Sequence, residues 1–195
     1  EVVRNKVEQN NLAEAPAMLT QVIDSAHGQL KKIGQMLRYA DATAGRLSFD
    51  FERLPVREMF DTLLDQFASK AASKQVEIRV TYFDDEKLRI DAHHTAYALA
   101  NILDNALNAS APGSRIELSG RKTADGNYVI EFVDNGCGIS AERLASIFSP
   151  FEQTDKSYSR AGGGMSLGLT LAQRLLSPQG GEVSLRSTEG CGTTA

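Results

Sequence analysis

Tryptophan is absent from this 195-residue chain, cysteine occurs only twice and proline only five times. Two cysteines, Cys137 and Cys191, cannot staple a disulfide scaffold and lack metal-ligand spacing, so free thiols in a reducing compartment are expected. No stretch approaches the roughly 18 consecutive apolar residues of a membrane span, and the opening Glu1-Val2-Val3-Arg4-Asn5-Lys6 lacks the apolar core of a signal peptide. A soluble, cytoplasmic piece is expected, with any membrane contact outside it. A basic excess is missing too: 21 Lys and Arg face 25 Asp and Glu, a net charge of -4, so nucleic acid is not an expected partner. What is present, 42% hydrophobic and 24% charged residues, suits a packed core and argues against disorder. At about 150 residues per domain the length corresponds to roughly 1.3 domains, one full domain with an appendage. The chain opens on glutamate and stops at Gly192-Thr193-Thr194-Ala195 as an alternating segment begins, so it is expected to be a piece of a longer polypeptide.

The appendage comes first. Leu19, Ile23, Ala26, Leu30, Ile33, Leu37, Ala40 and Ala44 are spaced 4, 3, 4, 3, 4, 3, 4, a heptad seam held for over three repeats. Pro16 belongs to the first turn of this helix and Gly45 caps its end. A strict 3.5-residue repeat suits a helix that meets another helix, so pairing with a second copy is expected over packing on its own domain. Val3 and Val7 precede it as the tail of another helix. After Gly45 the period changes. Leu47, Phe49 and Phe51 alternate as a short strand, Met59 to Ala71 recur at helical spacing, and Val76, Ile78, Val80 and Tyr82 alternate again. Leu88 to Ile90 makes a brief strand, and a helix from His93 to Ala109 ends at Pro112-Gly113. Two alternating runs flank the Asp125-Gly126 turn as a hairpin, a glycine-rich loop at 162 to 164 precedes a helix over 167 to 176, and a strand is expected over 182 to 186. Hairpins dominate the pairing. The predicted fold is α+β, a two-layer sandwich of a mainly antiparallel sheet with helices on one face.

Three elements carry chemistry. Asn101, Asn105 and Asn108 share one face of the 93 to 109 helix while Leu99, Ile102, Leu103 and Ala106 share the opposite one. Asparagine is a mediocre helix former, and a carboxamide oxygen can ligate Mg²⁺ while its N–H₂ donates to phosphate oxygens. A solvated face, which more commonly carries lysine and glutamate, is the plain alternative. Asp134-Asn135-Gly136-Cys137-Gly138 ends a strand with a carboxylate able to accept from an exocyclic amine such as adenine N6, and its glycines let a flat ligand approach. By itself it is more often a mere turn. Gly162-Gly163-Gly164-Met165-Ser166-Leu167-Gly168-Leu169 runs mobile backbone into a helix N-terminus, a phosphate cradle that is neither a Walker A loop nor a Rossmann turn. Phe148-Ser149-Pro150-Phe151 and the polar run after it form a surface loop or a lid over nucleotide.

In this order and spacing the elements resemble the ATP-binding domain of bacterial sensor histidine kinases, within the GHKL superfamily that includes DNA gyrase and mismatch-repair ATPases. The matching parts are an N box over 101 to 108, a G1 box Asp134 to Ile139, an F box Phe148 to Phe151 and a G2 box Gly164 to Leu169. The resemblance implies a Bergerat-type fold over 47–195, preceded at 1–46 by part of a dimerisation and phosphotransfer hairpin whose second helix would hold the 19 to 44 seam. It implies ATP and Mg²⁺ as cofactors. Asn105, with Asn101, would hold the metal; Asp134 would take the adenine amine; and Asn108, Gly136, Gly138, Ile139, Phe148, Gly162, Gly164, Ser166, Leu167, Gly168 and Leu169 would line the nucleotide. It further implies a homodimer and a response-regulator receiver domain as partners in a two-component system. Two positions depart from the pattern: Asn108 stands where lysine or histidine is usual, and Ser166 replaces the middle glycine of the G2 box. The family's acceptor histidine is followed by an acid and, further on, a proline; His27 precedes Gly28, and His93 and His94 open the asparagine helix in surface or capping positions. The acceptor is therefore expected upstream of Glu1, and the chain alone is expected to be inactive. A gyrase-like ATPase is disfavoured because Asn101 stands where that branch carries its general base. A nucleotide-binding pseudokinase or dimeric scaffold remains the alternative.

Overall fold

The computed structural model describes residues 15–150 and 167–195. Helix α1 spans Ala15–Thr43, with Pro16 in its first turn as expected. It stops at Gly45, whose φ of 65° turns the chain while Arg46 N–H donates to the Asp41 carbonyl. Strand β1 (Phe51–Pro55) leads into α2 (Val56–Lys74), then β2 (Glu77–Phe83), β3 (Lys87–Asp91), α3 (Ala92–Ala109), β4 (Arg115–Lys122) and β5 (Tyr128–Asp134). A short α4 (Ala141–Ala145), α5 (Gly168–Leu176) with a 3-10 turn at Ser177–Gln179, and strands β6 (Arg186–Thr188) and β7 (Gly192–Thr194) complete the described elements.

Five strands form one sheet in the order β2-β4-β5-β7-β6. The β4–β5 hairpin and both β7 pairings are antiparallel, as the hairpin signals predict. The β2–β4 pair is parallel, because β3 and α3 intervene and return the chain in the same direction. Helices α2, α3 and α5 cover one face. Leu63, Phe67, Leu103, Leu107, Leu171 and Leu175 bury themselves there against Ile116, Leu118 and Phe132 of the sheet. Along β4, Ile116 and Leu118 point inward, while Arg115 and Arg121 point outward to Glu77 and Glu131 on neighbouring strands. The chain has the two-layer α+β sandwich that its sequence predicts.

Two strands differ from the sequence reading. Leu47 and Phe49 lie outside β1, and the Asp50 N–H donates to the Asp91 carboxylate rather than to a ladder; β1 then pairs with β3 in a separate two-stranded sheet, Leu54 opposite Leu88. At 182 to 186, Val183 is buried in the core and its N–H donates to the Gln173 side-chain oxygen at 2.7 Å, so β6 starts only at Arg186.

Among the described residues the seam of α1 stays open: Leu30 is 64% exposed and Ile33 52%. The helix nonetheless touches its own domain through its other side, where Lys31, Gln35 and Arg38 meet α3. At 3.6 residues per turn the two stripes lie roughly 150° apart around the helix. Packing on its own domain, the less expected arrangement, is present on this side of the helix.

Candidate functional site

Helix α3 is the floor of the site. Asp91 caps it, its carboxylate accepting the His94 N–H at 2.7 Å. The histidines at its start take plain roles: His94 is buried beside Asp91 and the Phe49 ring, and His93 is exposed next to Arg38. The apolar face of α3 enters the core, and the amide stripe runs along the other side as its spacing predicts. Asn105 and Asn108 are exposed, whereas Asn101 is 6% exposed and engaged at both its nitrogen and its oxygen. Its N–H₂ donates to the Tyr97 carbonyl at 2.9 Å, and its oxygen accepts from Gln35 Nε2 at 3.0 Å. Asp104, on the flank of the stripe, sits between Lys31 Nζ at 2.7 Å and Lys70 Nζ. Burial pushes its carboxyl upward, but hydrogen bonds from and charges on the two lysines outweigh that and hold it below the ordinary range.

The Asp134 turn lies against the C-terminal end of α3. A β-carbon at Gly136 would fall 2.6 Å from the Ala109 carbonyl oxygen, so no side chain fits between turn and helix. Gly138 is more constrained still, with φ of 65° and space for a β-carbon only 2.0 Å from the Thr188 carbonyl. The Asp134 carboxylate is buried and accepts the Gly136 N–H at 2.9 Å and the Thr193 N–H. Burial raises its pKa above the usual 3.8 against the opposing pull of those two donors. Ile139 is tied to β6, its N–H donating to Ser187 Oγ at 2.8 Å.

The third wall is the start of α5. A methyl placed on Gly168 would stand 3.6 Å from both Asn101 Oδ1 and Asn105 Nδ2, so the glycine brings the helix N-terminus onto the amide stripe. Leu167 is fully buried and Leu169 packs against the core, which anchors this end. Phe148 also packs on the core, and its carbonyl accepts from Thr170 Oγ1 at 3.0 Å. The structure thus brings Gly168 onto Asn101 and Asn105 and Gly136 onto the end of α3; Asp134, Gly138 and Ile139 belong to the adjoining turn, Phe148, Leu167 and Leu169 anchor the start of α5, and Asn108 lies further along the stripe beside Lys70. Gly162, Gly164, Ser166 and the rest of the expected lid over 151 to 166 lie outside the described residues.

Four residues at this site escape the sequence reading. Gln35, Lys31 and Lys70 arrive from other helices, and nothing local to them signals it. Thr193 pairs opposite Asp134 in the β5–β7 ladder; the alternation starting at Gly192 was its only trace.

Residues 90–195 match the family model described as histidine kinase-, DNA gyrase B-, and HSP90-like ATPase. The chain belongs to this ATPase family. Within it, the chain is similar to sensor kinases: it is 30% identical over 174 residues to the sensor protein GacS of Pseudomonas syringae pv. syringae, covering 87% of this chain and 19% of that protein. It is also 30% identical over 192 residues to the sensor protein TorS of Escherichia coli strain K12, covering 93% and 20%. The chain thus spans about a fifth of the length of these relatives. Among solved structures, the Acinetobacter baumannii histidine kinase AdeS superposes with a TM-score of 0.75 at 13% identity, over 99% of this chain and 90% of that one. Full-length ShkA in complex with AMPPNP superposes with a TM-score of 0.78 at 21% identity, over 93% and 37%. The chain carries a GHKL-type ATP-binding domain of the histidine kinase branch.

Proposed function

We propose that this chain binds Mg-ATP between α3, the Asp134 turn and the start of α5, and donates the γ-phosphoryl to a histidine other than its own three. From there the group passes to an aspartate on a response-regulator receiver domain. In this reading residues 1–46 belong to a dimerisation and phosphotransfer hairpin, 47–195 form the ATP-binding domain, and the chain works in the cytoplasm. Among the described residues no helix is long and apolar enough to cross a membrane.

One observation carries the reading: two segments far apart in sequence converge on α3, with Gly168 against Asn101 and Asn105 and Gly136 against Ala109 at the end of the helix. Asp134 would accept the adenine amine, its carboxylate already oriented by two backbone N–H groups. The donor set fits Mg²⁺, because Asn105 offers an exposed carboxamide oxygen, a hard ligand of the kind this ion prefers. When bound, the ion would neutralise phosphate charge. His27 is exposed on α1 without an acidic neighbour in sequence, and His93 and His94 are occupied as described, so none of the three is assigned as acceptor.

A second reading, a dimeric scaffold that binds nucleotide without transferring phosphoryl, is favoured by the engagement of Asn101: its oxygen already accepts from Gln35, which leaves it one lone pair for a metal. Calorimetric titration separates the two. Phosphotransfer chemistry requires ATP to bind more tightly with Mg²⁺ than without, whereas affinity indifferent to Mg²⁺ supports the scaffold. With γ-labelled ATP, the chain alone should take up no acid-labile, base-stable label, and a longer chain bearing an acceptor histidine should. Label on His27, or repeated release of free phosphate, would overturn the assignment and favour a self-contained or gyrase-like enzyme.

A further inference from the structure

We infer that Lys70, on α2 and outside every sequence motif of the site, is a phosphate-binding residue of the nucleotide pocket; the inference rests on the ATP-binding reading above. Lys70 Nζ donates to Asn108 Oδ1 at 3.1 Å, so its ammonium stands at the tip of the amide stripe. The stripe itself carries no charge. A polyphosphate laid along carboxamides needs a cation nearby, since charge-assisted hydrogen bonds are roughly twice as strong as neutral ones.

The local charge favours an anion. Lys31 and Lys70 share the single carboxylate of Asp104, leaving one positive charge in excess among these three groups. Lys74, one turn further along α2, donates to the Leu107 carbonyl at 3.0 Å and adds a second cation on the same flank of α3. Burial keeps Asp104 in place as a holder: its contacts aim Lys70 at Asn108 rather than leaving the flexible side chain to solvent. Lys70 remains about one-third exposed, so its ammonium is open to a ligand while tethered. The arrangement reproduces by tertiary contact what a basic residue at position 108 would supply from α3 itself.

The test is Mg-ATP affinity by isothermal titration of the whole chain. Lys70→Met keeps the packing of the stem, and Lys31 still pairs with Asp104; it should weaken ATP roughly tenfold, the effect of losing one partly screened charge-assisted hydrogen bond. Adding Asn108→Lys to Lys70→Met should recover most of the loss, because a lysine there projects from the same stripe. Adding Asp104→Asn to Lys70→Met should not restore wild-type affinity if Lys70 touches phosphate. It would restore it if the loss came only from an exposed carboxylate repelling the ligand, and that result would overturn the inference. Unchanged ATP affinity in Lys70→Met would overturn it as well, with thermal melting confirming that the variants are folded. Absence of ATP binding in the wild type would instead sink the nucleotide reading, and this inference with it.

Discussion

Gln35 Nε2 donates to Asn101 Oδ1 at 3.0 Å, and both side chains are buried. The bond joins α1 to the amide stripe, and it uses one of the two acceptor sites of the Asn101 oxygen that a metal–nucleotide complex would draw on. Docking of α1 and metal ligation by Asn101 would therefore draw on the same oxygen, and binding linkage makes their competition reciprocal. Gln35→Ala should tighten Mg-ATP severalfold, since a buried neutral hydrogen bond contributes about 0.5 to 1.5 kcal/mol. Mg-ATP should in turn raise amide exchange over residues 30 to 42. If nucleotide leaves that exchange unchanged and Gln35→Ala leaves affinity unchanged, the two contacts do not compete.

Asp134 gives a pH signature. Its folded-state pKa is raised, so the stability it contributes is present below the ordinary carboxylate range and is lost as pH rises through the folded value. At neutral pH the turn holds a carboxylate whose burial costs stability. Adenine recognition needs that charged form. Nucleotide affinity should fall on acidification from a pH above the usual carboxylate value, and Asp134→Asn should remove this limb while weakening binding about tenfold at neutral pH. The measurement is affinity against pH for both proteins; parallel profiles would count against Asp134 as the adenine partner.

The α1 seam separates assembly from ligand binding. Leu30 and Ile33 are exposed, on the side of the helix away from Gln35 and Lys31. The double variant Leu30→Asp, Ile33→Asp should sediment as a monomer at concentrations where wild type is a dimer, with ATP affinity within about twofold of wild type, since the mutated side chains share no partners with the pocket. Equal masses for the two proteins would refute pairing through this seam.

Gly138 tests the turn itself. Gly138→Ala puts a methyl 2.0 Å from the Thr188 carbonyl at a φ of 65°, and neither backbone can move without breaking the Gly190 N–H bond to the Cys137 carbonyl. A loss of about 3 kcal/mol or more is expected from strain and clash combined, as for other large single-site effects. Thermal unfolding measures it. Gly126→Ala, at φ of 86° with open space around it, provides the strain-only comparison and should cost less.

The hydrophobic periods of 2 and 3.6 residues determined most of this protein by themselves. They placed α2, α3, β2 and the β4–β5 hairpin within a few residues, and the asparagine stripe followed from helical geometry alone. The turn at Asp134 was legible because glycine is the residue that a close backbone approach demands. What the sequence left open is set by contacts between residues far apart in the chain. The alternation at 182 to 186 gave no sign that Gln173 would capture the Val183 N–H, nor did the phenylalanines at 49 and 51 reveal that Asp91 would take the Asp50 N–H. The seam of α1 announced one interface by its spacing; the opposite face docks through Gln35, Lys31 and Arg38, polar residues whose partners no local pattern encodes. For the same reason Lys70 is an ordinary helix lysine in one dimension, and only the packing of α2 beside α3 carries its ammonium to Asn108. Periodicity reports which face of an element is apolar, but a polar side chain acquires its role from the group that tertiary packing brings within hydrogen-bond distance.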